Sequence, residues 1–371
     1  MYIWEDKSWP SFRWNSDQLL PRLTEARYRQ GRFLGTMRGL GFDARLASEL
    51  DATTDDVIKT SAIEGEVLNP SSVRSSIARR LGIPEGGLAP ADRKVDGVVD
   101  MILDATRNFD RPLDAERLFG WHAALFPSGF SGLNRIDVGC WRSDRDGPMQ
   151  VVSKIYSNRP IVHFEAPPAG RLDTEMNRFI DWFNGESLKL DGLLRAGLSH
   201  LWFVTIHPFD DGNGRIARAV ADLAIAQLEG TGQRLYSMSS QIERDKKRYY
   251  AALEQTQKGG LDITAWLTTF TDLYAQAVQA AERTADRVVV RETFWKAQAD
   301  GPPFSDRQQK VLRKLLDGFE GFMTTGKWQN LCNCSADTAQ RDIADLVSRG
   351  VFSRNPGGSK NTSYRFNWPP V

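Results

Sequence analysis

With 371 residues, 41% of them hydrophobic and 26% charged, the chain can bury a core large enough for two or three folding units and has none of the bias of a disordered or fibrous protein. Its 48 Lys and Arg against 47 Asp and Glu exclude a global basic field for nucleic acid, leaving only a local patch open. Cys140, Cys332 and Cys334 are too few for a disulfide framework, the isolated Cys332-x-Cys334 lacks the second pair a zinc site needs, and no apolar run reaches the roughly 18 residues of a membrane span, so a cytoplasmic location away from membranes is expected.

The first residues carry Trp4, Trp9, Pro10, Phe12 and Trp14, a density that fits an arm stapled to an apolar surface, with a peptide- or ligand-binding platform as the alternative. Helical periodicity starts near Ser16 and returns over Asp43 to Lys59, around Thr60 to Glu66, and over Ser71 to Leu81. A Gly- and Pro-rich loop, Gly82 to Pro90, precedes helices over Asp92 to Asn108 and Asp114 to Leu125. Between about Gly129 and Gly170 the period is lost, and Met149 to Ser153 with Ile161 to Phe164 predicts a hairpin around Ser157 to Pro160. Helices are expected again over Leu172 to Phe183, Leu193 to Thr205, Arg215 to Glu229, Gln241 to Gln257 and Ile263 to about Arg291.

Gln298 to Phe304, with Gly301-Pro302-Pro303, is the natural linker. Beyond it, helix (Asp306 to Leu316), helix (Lys327 to Leu331), turn, helix (Ser335 to Arg349) and Val351 to Asn367 with a Gly357-Gly358 tip give the order of a winged helix-turn-helix. Residues 305–371 hold ten Lys and Arg against six Asp and Glu, so DNA binding through the helix from Ser335 and protein contact both stay open. The expected domains are 1–90, a helical region, 91–290, a helical body with one hairpin, and 305–371.

Residues 207 to 218 read His-Pro-Phe-Asp-Asp-Gly-Asn-Gly-Arg-Ile-Ala-Arg. Gly212, Asn213 and Gly214 open a helix, where small residues let backbone N–H groups and the positive helix end approach an anion. Arg215 and Arg218, three apart, are suited to forked contacts with phosphate oxygens. Asp211 is placed to hold Mg²⁺, which takes one or two carboxylates plus substrate phosphates. His207 can act as a base on a hydroxyl because an imidazole titrates near neutrality. Phe209, apolar among polar neighbours, reads as the anchor of the loop. His122, His163 and His200 read as structural, and Trp202 and Phe203 as core.

This segment matches His-x-Phe-x-Asp/Glu-Gly-Asn-Gly-Arg-x-x-Arg, and the chain resembles the Fic family over about residues 90 to 260, with flanks like those of one bacterial subgroup. The resemblance implies a mainly α fold: a Fic-type helical bundle with a small β-hairpin flap, plus the C-terminal winged helix. It also implies AMP transfer from Mg-ATP onto a Ser, Thr or Tyr hydroxyl of a protein, the chain itself included. His207 would be the base, Asp211 the Mg²⁺ ligand, Gly212, Asn213 and Gly214 the phosphate cradle, and Arg215 and Arg218 the grip on the phosphate tail. Met149, Gln150, Val151, Val152 and Ser153 would form the flap that aligns a target by strand addition. Thr60-Ser61-Ala62-Ile63-Glu64-Gly65 is similar to the family's inhibitory motif, implying that Glu64 pairs with Arg218. Homodimers accompany the family resemblance. The alternatives are removal of AMP at the same site and a DNA-binding regulator that senses nucleotide.

Overall fold

The computed structural model describes residues 1–84, 89–90, 92–145, 147–153, 161–316, 319, 321–356 and 362–368. The expected turn at Ser157 to Pro160, residues 85–88 of the loop before Pro90, and the Gly357-Gly358 tip lie outside them. The fold is mainly α and divides into two compact units, Met1–Ala280 and Ala281–Val371.

The first unit is built from α1 (Ser16–Arg38), α2 (Phe42–Ile63), α3 (Pro70–Leu81), α4 (Arg93–Arg107), α5 (Ala115–Leu125), α6 (Leu172–Asn184), α7 (Gly192–Ile206), α8 (Asn213–Glu229), α9 (Met238–Arg244), α10 (Lys246–Gln257) and the first half of α11 (Thr264–Ala297). At its centre α7 packs on α8. Every residue from Leu193 to Ile206 and from Arg215 to Ala226 is buried, the polar Arg195, His200, Arg215, Arg218 and Asp222 included, so both helices are enclosed on all sides. The start of α7 is set by Asp191, whose carboxylate accepts from Leu193 N at 2.8 Å, and its end is the turn that carries the 207–212 loop.

Three expectations are corrected. Thr60 to Glu66 is not a separate helix: no Gly or Pro breaks the run after Lys59, so α2 continues to Ile63 and stops where Gly65 adopts φ +84°. The helix expected over Gln241 to Gln257 is two helices that meet at Asp245 (φ −113°, ψ 35°), the first starting earlier because Ser237 Oγ caps Ser240 N at 2.9 Å. The hairpin of β3 (Gln150–Ser153) and β4 (Ile161–Glu165) is also joined by a smaller one, β1 (Phe130–Ser131) with β2 (Asn134–Arg135), too short to leave a period in the sequence. β3 and β4 pair antiparallel, Gln150 opposite Glu165 and Ser153 opposite Ile161, with a bulge between Val151 and Val152. Met149 lies just before the strand, its carbonyl accepting from Ala166 N at 2.9 Å.

The aromatic arm is fastened to this body. Trp4 Nε1 donates to Glu165 O at 2.7 Å, Trp9 Nε1 donates to Glu175 Oε2 at 2.9 Å, and Phe12 meets Trp202 edge-on at 5.6 Å.

In the second unit α12 (Asp306–Leu316), β5 (Met323–Thr324), α13 (Thr325–Cys332), α14 (Ala336–Ser348), β6 (Phe352–Arg354) and β7 (Ser363–Phe366) follow in order, with the antiparallel sheet order β5-β7-β6. Trp328, Val311, Ile343, Leu346 and Phe352 form its core. Ser335 Oγ caps α14 through Thr338 N, and Gly350, at φ +72°, follows its end. Among the described residues no helix is long and apolar enough to cross a membrane.

Candidate active site

His207 ends α7 in the left-handed region, at φ 52° and ψ 59°, an unusual conformation for a residue with a Cβ. The turn is held from several sides. Arg142 Nε donates to His207 O at 2.8 Å, Arg142 N donates to Pro208 O at 2.9 Å, and the same guanidinium reaches Pro167 O and Asp144. His207 Nδ1 lies 3.0 Å from Val204 O. A carbonyl can only accept, so Nδ1 carries the hydrogen and Nε2 keeps the lone pair. Burial pushes the imidazole below its ordinary range despite that carbonyl, with Arg142 acting in the same sense and Asp211 and Glu64 opposing it.

Phe209 is fully buried, its ring 4.2 Å from that of His122 in a near-parallel stack and 5.2 Å from that of Trp141. His122 accepts from Gly139 N at Nδ1, and burial pushes it down to about 4, so it supports the loop as a neutral ring. Asn213 clamps the same turn: Oδ1 accepts from Phe209 N at 3.0 Å and Nδ2 donates to Phe209 O at 2.8 Å. Its side chain is therefore used within the loop, and what it can offer a ligand is its backbone N–H. The N–H groups of Asn213, Gly214 and Arg215 are among those an α-helix leaves without internal partners.

Asp211 stands at the mouth of this turn. Oδ1 accepts from Gly212 N at 2.6 Å and Oδ2 accepts from Ser131 Oγ, on the small β1–β2 hairpin. Asp210 turns away and accepts from Asp137 N at 2.8 Å. Among the described residues no group of three or more His, Cys, Asp or Glu is placed to enclose a metal. A lone hard carboxylate beside an anion cradle suits a cation that brings its own waters and phosphates.

Both arginines of the segment are buried, and both are paired. Arg218 Nη2 donates to Glu64 Oε1 at 2.7 Å and to Thr60 O at 2.9 Å, while its Nε donates to Thr60 Oγ1 at 2.7 Å. Thr60, in the last turn of α2, and Glu64, the residue that follows its end, thus hold one guanidinium between them. Burial works against the charged form of Arg218, and the Glu64 carboxylate overrides it, leaving the guanidinium above its ordinary range. Glu64 also fills the space beside Gly214, where an added Cβ would stand 2.3 Å from Glu64 Oε1. Arg215 Nη1 donates to Glu66 Oε2 at 2.7 Å, and its guanidinium lies over the Phe126 ring at 5.1 Å.

The predicted residues 207, 209, 211–215 and 218 therefore converge with Glu64, whereas residues 150–153, with Met149 just before them, form a hairpin strand joined to this region through Arg142, which reaches Pro167 beyond β4. Ser131, Arg142 and Glu66 were not read from the sequence. Each acts through a partner far along the chain, and none lies at a spacing that announces it.

Residues 112–225 match the model of the Fic/DOC family, and residues 2–83 match a domain of unknown function, DUF4172. The stretch that holds the site is thus similar to the Fic/DOC family. A protein adenylyltransferase fic-1 from Caenorhabditis elegans is 35% identical over 206 residues, covering 55% of this chain and 37% of the relative. One of the same name from Caenorhabditis briggsae is 28% identical over 262 residues, covering 70% and 46%. The chain thus spans less than half the length of these curated relatives. The fold is also that of a Fic family protein from Desulfovibrio desulfuricans G20, with a TM-score of 0.53 at 19% identity over 95% of this chain and 97% of that one. It is likewise similar to residues 134–508 of Fic-1 from C. elegans, with a TM-score of 0.51 at 19% identity, covering 75% and 74%.

Proposed function

We propose that this chain is a Fic-family, autoinhibited protein adenylyltransferase. The observation that carries the reading is the Nδ1 contact of His207, which leaves Nε2 free as a base beside a helix N-terminus and two buried arginines. In this reading ATP lies with its phosphates against the N–H groups of residues 213–215 and the guanidinium groups of Arg215 and Arg218. His207 Nε2 takes the proton from a Ser, Thr or Tyr hydroxyl of a target protein. The hydroxyl oxygen bonds to the α-phosphorus, the bond from that phosphorus to its bridging oxygen breaks, and pyrophosphate leaves. Asp211 would hold Mg²⁺, which neutralises phosphate charge when bound. The exposed Val151 and Val152, on a two-stranded hairpin, fit the docking of an extended target segment.

Glu64 restrains the reaction because it occupies the guanidinium that the nucleotide needs. Residues 1–90 would then supply the restraint, 91–290 the catalytic domain, and 305–371 a winged helix whose partner is DNA or protein. A cytoplasmic location belongs to the same reading.

The test compares wild type, Glu64→Gly and His207→Ala with α-labelled ATP and Mg²⁺, following label on the protein itself and in a lysate. Glu64→Gly should raise labelling at least about tenfold, the value of one strong charged contact, and His207→Ala should abolish it. Equal labelling by wild type and Glu64→Gly would remove the restraint from the reading. Absence of label from every protein would remove the activity.

A further inference from the structure

The restraining turn has two prongs, and the second faces the other arginine. Gly65 N donates to Ala62 O at 3.0 Å and Glu66 N donates to Ser61 O at 3.0 Å, closing the end of α2 around Gly65 at φ +84°. That closure fixes Glu64 and Glu66 on either side of one glycine. Glu64 takes Arg218 at 2.7 Å, and Glu66 takes Arg215 at 2.7 Å. Lys246 Nζ donates to Ile63 O at 2.5 Å, tying the same turn to α10.

The Glu66 pair has the marks of a stand-in for a ligand. The Arg215 side chain is only 4% exposed, while that of Glu66 is 43% exposed, so the cation is built into the site and the anion reaches it from the rim. Arg215 Nε is buried without a partner, which leaves the guanidinium one donor short even with Glu66 in place. A buried guanidinium needs an anion, and a phosphate group could satisfy several of its donors where the single Glu66 oxygen satisfies one.

We infer that Glu66 is a second competing carboxylate, which determines nucleotide affinity by holding Arg215 until a phosphate replaces it; this rests on the nucleotide reading of the site. Glu64 and Glu66 then oppose the same ligand at two guanidinium groups. Glu66, the more exposed, is the one whose release nucleotide binding requires even while Glu64 stays in place.

The experiment measures binding of ATP, ADP and adenosine by calorimetry to wild type, Glu66→Ala, Glu66→Gln and Glu64→Gly, together with the thermal midpoint of each with and without ATP. Glu66→Ala should tighten ATP and ADP by roughly three- to tenfold and leave adenosine unchanged, the range expected for one half-exposed charge contact. Its midpoint without ATP should fall, because Arg215 loses its anion, and its upward shift on adding ATP should exceed that of wild type. Glu66→Gln, which keeps the shape without the charge, should tighten ATP to a lesser degree. A purely structural Glu66 would lower the midpoint with no gain in affinity for ATP, and that result overturns the inference. So does an equal gain for adenosine. If no variant nor the wild type binds ATP, the nucleotide reading falls and this inference with it; if ATP binds and Glu66→Ala leaves it unchanged, only this inference falls.

Discussion

His207 Nδ1 faces the Val204 carbonyl at 3.0 Å, and burial disfavours the imidazolium. Both effects keep a lone pair at Nε2, and the second fixes how activity should respond to acid. Since the buried ring binds a proton less readily than a free imidazole, the base form persists further into acid. The acid limb of kcat/KM for label transfer should therefore have its half-maximum below 6.5, the ordinary histidine value. A limb centred above neutrality would show that another group takes the proton. His122 and His200 carry the same physics into stability, being held down by burial to about 4 and about 3. Well above 6.5 both are neutral folded and unfolded, and stability does not change with pH through them. As the pH falls below 6.5 the unfolded rings bind protons and the folded ones do not. Unfolding free energy should then fall by up to about 1.4 kcal/mol per pH unit for each ring, and His122→Gln should make urea midpoints less steep in pH between 6.5 and 4 than those of wild type.

Among the elements, the end of α2 carries most consequence. Gly65 sits at φ +84° with open space where a Cβ would go, so Gly65→Ala meets no clash and costs only its backbone conformation, about 1 kcal/mol. The thermal midpoint should drop slightly while label transfer rises, because the same strain shifts Glu64 away from Arg218. Unchanged transfer would mean that the turn tolerates alanine in place. The helices themselves were legible where a helical run followed small loop-forming residues, as in α8 behind Gly212. They were misread where the signal is purely three-dimensional. Nothing in Lys59-Thr60-Ser61 marks a break, yet a break was expected there, and nothing in Arg244-Asp245-Lys246 marks the one that occurs. The site divides the same way. The 207–218 run places its own groups because local backbone geometry does so, but Glu66, Arg142 and Ser131 reach it only through packing that brings distant segments together.

For the molecule as a whole, the chemistry proposed here belongs to residues of the first unit, and the second has a core of its own. Trp328 is fully buried there, meeting Phe352 edge-on at 6.3 Å. Trp328→Ala should cost the second unit about 3–5 kcal/mol, seen as an early step in thermal unfolding, while label transfer at a temperature below that step stays at the wild-type rate. A matching loss of transfer would make the second unit part of the catalytic apparatus.

Trp4 donates its indole hydrogen to the carbonyl of Glu165, at the root of the β3–β4 hairpin, and lies beneath the Arg171 guanidinium at 5.5 Å. An indole in that position is a built-in optical probe. Its emission depends on the carbonyl and the cation beside it, so anything that tugs on that ribbon will recolour it, and subtracting the spectrum of a Trp4→Phe protein isolates the signal from the other ten tryptophans. Capture of an acceptor polypeptide could be followed this way in real time, without attaching a dye.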